Sequence, residues 1–295
     1  MFKIQNSKPK SNRRLILFFA RSILLLVIAG CAPEKREPEP VLPGKKSVAE
    51  ALSVLKSRSQ HTGPLKANGQ CLWRYYSNGK PRTENFAVKL WVNPPAEVYL
   101  QGDVAFNPRG LVLGSNAIEF WLLIKPEFSS YSWGKWSEQD TSSGLMVVPK
   151  SLDEALGIVE VADEKSWSLS GEGTFDVLVR RNNEGKTVKK LYINRRDYLA
   201  RKIVYFDADG KVVAVAELDR YKEVSKEFFV PTVIRIVMHG GDGGDNLASI
   251  KLNLSSVKPD SFTEKRRSVL FSRPKPEGYK HFYRIIDGRM IEQPQ

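Results

Sequence analysis

Along most of the chain, apolar and polar positions alternate with a period of two, the signature of strands that show one face to a core. The pattern begins after Gly63-Pro64 with Leu65–Tyr76 and breaks at Ser77-Asn78-Gly79-Lys80, where Asn-Gly supplies the positive φ values of a tight hairpin. Thr83–Asn93 answers it, with Phe86, Val88, Leu90 and Val92 on one face and Asn85, Lys89 and Trp91 on the other. Pro94-Pro95 turns the chain into Ala96–Ala105, followed by Leu111–Gly114, Ala117–Ile124 and Ser129–Trp136. After a long break the alternation resumes at Thr174–Arg181, Thr187–Arg195, Tyr198–Phe206, Lys211–Tyr221, Phe229–Met238 and Leu247–Val257.

Two stretches read as helices instead. Ser47 and Glu50 have capping-box spacing ahead of the stripe Val48, Ala51, Leu52 and Leu55. Ser151 and Glu154 repeat that spacing at Ser151–Leu156, inside the one long break between strand groups. Eleven or twelve strands joined by short turns, with no strand–helix alternation, predict a mainly β, antiparallel fold. The expected form is a strongly curved sheet or incomplete barrel whose open side is closed by a helical lid.

The amino terminus follows another pattern. Lys3, Lys8, Lys10, Arg13 and Arg14 precede Leu15–Ala20, Arg21 and the apolar run Ser22–Gly30, which ends at Cys31. A basic region, a short apolar core and small residues before a boundary read as a secretory signal peptide over residues 1–30. Ile28-Ala29-Gly30-Cys31 resembles the bacterial lipobox, in which the Cys is acylated and becomes the first mature residue. Residues 31–46, with Pro33, Pro38, Pro40 and Pro43 among charges, form a tether. The main domain is placed at 47–260, and residues 261–295 are left as an extended tail.

Charge looks different once the leader is removed. The chain has 295 residues and a net charge of +13; six of those surplus charges lie in residues 1–30, so +7 remains from Cys31 onward. Nucleic acid is therefore not the expected partner. Lys189-Lys190, Arg195-Arg196 and Arg201-Lys202 read as a solvated basic face, which in an exported protein would meet anionic head groups.

Catalytic chemistry is sparse. His61, His239 and His281 stand apart in no metal-ligand spacing, and Cys71 reads as a small buried side chain. No G-x-S-x-G elbow or Walker loop occurs. Asp207, Asp209, Asp242 and Asp245 fall in turns, and Gly240–Asp245 is one copy of a calcium-repeat core that works only when repeated. The expectation is no enzyme, no cofactor and no metal. What exceeds the needs of a one-faced sheet is the large apolar content of the N-terminal strands: Trp73, Trp91, Trp121, Trp133 and Trp136 with Tyr75, Tyr76, Tyr99, Phe106 and Phe120. These residues serve either as core and hairpin cover or as the lining of a concave apolar cavity.

Three stretches resemble the LolA/LolB superfamily of periplasmic lipoprotein carriers: Leu90–Leu100, Gly114–Pro126, and Leu191–Gly210 leading into Phe229–Ile236. The resemblance runs over roughly residues 47–260. It implies an incomplete barrel of about eleven antiparallel strands, helices over an apolar cavity, and binding of lipid or lipoprotein acyl chains. Some relatives instead sense envelope stress, which leaves a partner protein as the alternative ligand. Gly110-Leu111-Val112-Leu113 is the candidate for a protruding membrane-active loop, and the carriers' lid-holding Arg has no clear counterpart. The expected protein is thus anchored to the membrane through acylated Cys31, at the outer membrane and facing the periplasm. The expected lining is Phe86, Val88, Leu90, Val98, Leu100, Ile118, Phe120, Leu122, Val177, Val179, Ile234 and Ile236.

Overall fold

The computed structural model describes residues 41–105, 107–125, 127–138, 154, 156, 163–239 and 246–294. The signal segment, Cys31, most of the tether, Phe106, most of the expected second helix and the 240–245 loop lie outside the described residues. Helix α1 (Val48–Ser59) begins where the sequence places it: the Ser47 hydroxyl accepts from the Glu50 amide at 3.1 Å. The return bond of the capping box shifts by one residue, the Glu50 carboxylate accepting from the Lys46 amide at 2.9 Å.

Strands β1 (Leu65–Ser77), β2 (Lys80–Asn93), β3 (Glu97–Val104), β4 (Asn107–Ser115), β5 (Glu119–Ile124) and β6 (Ser130–Lys135) form one antiparallel meander. A second contains β7 (Trp167–Glu172), β8 (Phe175–Arg181), β9 (Thr187–Asn194), β10 (Ala200–Phe206), β11 (Val212–Ser225), β12 (Phe228–His239) and β13 (Asn246–Pro259). Pairing of β1 with β13 fuses the meanders into one sheet. Asn78 and Gly79 have φ of 51° and 71°, the conformation their dipeptide predicts for the first hairpin. At the other turns, the Asn182 and Asp207 side chains accept from amides two and four residues on, so they serve backbone geometry.

Two sequence expectations are corrected here. The sheet has fifteen strands, because β7 was not read and residues 261–295 are not a simple tail. Those residues form α2 (Glu264–Leu270), β14 (His281–Ile286) and β15 (Arg289–Glu292). β14 pairs in parallel with β6, the one parallel junction among the described strands, and β15 folds back on it. The order runs β15-β14-β6-β5-β4-β3-β2-β1-β13-β12-β11-β10-β9-β8-β7. Its two ends do not pair with each other, which leaves the curved sheet an open barrel. The inner face holds the main core, into which α1 buries Ala51 and Leu52.

Candidate functional site

Register sets the inner face one strand at a time. Leu90, Leu100, Leu113 and Leu122 are successive cross-strand partners from β2 to β5, and Cys71 and Trp73 face Leu252 and Ile250 of β13. Between these rows lies a cavity of about 170 Å³. Trp73, Leu111, Leu113, Phe120 and Leu122 wall it on the first meander, and Ile236, Met238, Ile250 and Leu252 on the second. Ile285 and Met290 of the C-terminal hairpin complete it. Ser132 and Tyr75 bring its hydroxyls, and Tyr75 turns its own outward to donate to Glu127 at 2.8 Å. Hydrogen bonds from Ser77 and Tyr75 hold the Glu127 carboxyl below its usual range, while burial raises the Tyr75 hydroxyl. Burial likewise pushes the Cys71 thiol up to about 12.

The twelve expected lining residues divide four ways. Leu100, Phe120, Leu122 and Ile236 line the cavity. Phe86, Val88, Leu90, Val98 and Ile234 share the inner face and belong to the solid core beside it. Val177 and Val179 are out of phase: Leu178 is the β8 residue that enters the core, and a shift of one position turns a side chain to the opposite face. Ile118 precedes β5 in the β4–β5 turn and is 69% exposed. The lining residues missed include Trp73, Leu111, Leu113, the second-meander residues Met238, Ile250 and Leu252, and the C-terminal pair. Trp73 stood in the aromatic surplus, and Leu111 and Leu113 in the stretch taken for a protruding loop. That stretch is β4, with Leu111 and Leu113 turned into the cavity and Val112 into a cluster on the other face.

This second cluster takes up Trp91, Tyr99, Trp121 and Trp133 of the aromatic surplus. Tyr99, Trp121, Leu123 and Tyr131 cover the outer face of β3–β6, and Phe262, Leu270, Phe271, Tyr279 and Phe282 from the C-terminal segment pack on them. Polar contacts fix the cover: Tyr131 donates to the Pro274 carbonyl at 2.6 Å, and Arg267 meets Glu97 at 2.8 Å. Gly114 lies under the Trp121 ring, where an added Cβ would come within 2.3 Å of the indole.

The basic face also needs correction. Lys190 and Lys202 do project outward, over the rings of Phe206 and Tyr192. Lys189 points inward, 4% exposed, with its ammonium 2.7 Å from Glu154, which also accepts from Tyr205 at 2.6 Å. Leu156, fully buried, joins the same core, so the two described residues of the expected second helix sit against the inner face. Arg195 binds the buried Asp176 at 2.8 Å, and Asp176 accepts from the Lys45 amide at 2.9 Å. Arg195 also donates to the Leu42 carbonyl at 3.3 Å. Gly44 permits this approach, since a Cβ there would lie 2.3 Å from the Asp176 carboxylate. Among the described residues no group of His, Cys, Asp and Glu is arranged to hold a metal ion.

Scanned against protein-family models and against curated protein sequences, the chain matches none. Among solved structures it is similar to a domain from Vibrio parahaemolyticus named for outer membrane lipoprotein sorting, at a TM-score of 0.51 and 16% identity, covering 77% of this chain and 99% of that one. It is also similar to a DUF1329 family protein from Desulfovibrio piger, at 0.49 and 14%, covering 77% and 100%. A LolA superfamily protein from Nitrosomonas europaea gives 0.44 and 12%, covering 75% and 97%. The first likeness shows the fold, an open, curved sheet, here with α1 against its inner face. No described helix is long and apolar enough to cross a membrane.

Proposed function

We infer that this is an exported, lipid-anchored binding protein of the bacterial envelope that takes an acyl chain of a lipid or lipoprotein into its sheet, without catalysing a reaction. The observation that carries the reading is the cavity, walled almost wholly by aliphatic and aromatic side chains on the concave face of a LolA-like fold. A void with such a lining stays dry and favours apolar guests. Burial contributes about 25 cal/mol per Å² of apolar surface, so each methylene drawn in adds about 0.8 kcal/mol. The lipobox reading of Cys31 supports anchoring, and the lipoprotein-sorting name of the structurally similar Vibrio parahaemolyticus domain supports an outer-membrane setting.

Mass spectrometry of lipids released from the purified protein, together with titration of a fluorescent fatty acid, tests the reading. Stoichiometric lipid or saturable uptake is expected; a lipid-free protein that takes up no probe would overturn it. The second reading, recognition of a partner protein, is favoured by the open ends of the sheet at β7 and β15, since an exposed strand edge can accept a strand from another chain. Cross-linking in envelope extracts separates the two.

A further inference from the structure

One wall of the cavity is built unlike the others. Met290 of β15 lines the void and is also 43% exposed, the exposed residue among those lining it. The cavity therefore reaches the surface at Met290, and Ile291 beside it is 46% exposed. Ile291, one position on, turns to the opposite face, so Met290 alone is the flexible apolar sill of this mouth.

The hairpin that carries this sill is the terminal edge of the sheet. β15 has β14 as its sheet neighbour, and all four of its residues are exposed. β14 joins β6 through a parallel register of four residue pairs, from His281↔Ser130 to Arg284↔Trp133, whereas β5 joins β6 through six antiparallel pairs. Parallel pairing is slightly the weaker kind per residue, and edge elements open at lower free energy than central ones. The segment leading to the hairpin is held differently. Phe271 is buried in the outer aromatic cluster, and the Pro274 carbonyl accepts from Tyr131. The hairpin itself is held by Phe282 against Tyr131, by Ile285 against Phe120, and by Glu138, which pairs with Arg284 and accepts the Asp287 amide on its carbonyl at 3.1 Å. At about 170 Å³ the void is also smaller than the roughly 300–1,000 Å³ of pockets that enclose whole ligands. Admitting a chain requires a wall to move, and this wall gives up the fewest ladder bonds.

We propose that the β14–β15 hairpin is the port of the cavity. It swings away from β6 while α2 and Phe271 stay docked on the outer face, and an apolar chain passes between Met290 and the inner face. The identity of the guest rests on the acyl-chain reading above; the port does not.

Cys71 lines the cavity, is buried, and reports opening whether or not a lipid binds. In the full chain, alkylation is followed by mass spectrometry on the peptide that carries Cys71. Glu138→Ala, which removes the side-chain pin on Arg284 and keeps the backbone bond to Asp287, is expected to speed alkylation about tenfold at an unchanged melting temperature. A disulfide between Ser130→Cys and His281→Cys, which are Cα partners, is expected to slow it at least tenfold relative to either single substitution. Rates that ignore both changes, or a faster rate accompanied by a lower melting temperature, overturn the port. Should the disulfide fail to form, Glu138→Ala decides alone. Rates that respond as expected without any uptake of fluorescent fatty acid uphold the port and refute the acyl-chain reading.

Discussion

The two meanders use the same alternating strands and differ in what meets their inner faces. Against β8–β10 the chain supplies its own filling: Leu156, and a buried Glu154 that closes on Lys189 and Tyr205. Against β3–β6 it leaves an apolar void, while the opposite face of those strands is sealed by Phe271 and its neighbours. A strand with two apolar faces needs two covers. Here the C-terminal segment provides one of them, and the other face stays available to a guest.

The comparison is broken most strongly by removing the filling. Glu154→Ala leaves the Lys189 ammonium buried without its counter-charge, and stability is expected to fall by about 3–5 kcal/mol in denaturant titration. The double variant Glu154→Leu/Lys189→Met recovers most of that loss if the pair acts as a unit. On the first meander, Trp121→Ala removes a fully buried ring from the outer cluster at an expected cost of about 3–5 kcal/mol. Small apolar additions sharpen the contrast between faces. Gly114→Ala drives a Cβ into the Trp121 ring and is expected to cost about 1–3 kcal/mol. Ala248→Leu points its extra carbons into the void, and is expected to gain about 0.5–2 kcal/mol while weakening fatty-acid uptake.

The smallest effect is read from Cys71. Its thiol is held neutral by burial and reaches a pKa of about 12, against about 8.5 for a free thiol. The sign follows from linkage: the folded state keeps the proton that the unfolded state gives up. The contribution is complete below about pH 8.5 and is lost progressively as pH rises toward 12. Cys71→Ala is therefore expected to flatten the alkaline limb of the stability curve, and a limb of unchanged slope would show that other groups set it.

Much of this molecule was legible in its sequence, and the misses have physical causes. Strands bounded by strong turns, such as Asn78-Gly79, could be read because turn and alternation agree. β7 escaped because its alternation holds only two apolar positions, Trp167 and Leu169, before Gly171. β14 escaped because it follows a Pro-rich run and pairs with β6 across more than 140 residues, which local pattern cannot register. For the site, alternation identified the inner face of β2, β3 and β5, missed that of β4, and placed four of twelve residues in the cavity. On β8, Phe175, Val177, Leu178 and Val179 are apolar on both faces, so the pattern could not fix the phase. Lys189 was assigned to solvent because an ammonium is rarely buried, and its partner Glu154 lies thirty-five residues away.

The contact between Arg195 and Asp176 has a mechanical consequence. It grips the backbone at Leu42 and Lys45, the first turn of chain beyond residue 40. Any pull arriving along the preceding segment is met there, by a buried carboxylate and a guanidinium rooted in the second meander, before it can load α1. The end of the sheet distant from the cavity thus takes the strain, and the concave face is spared it.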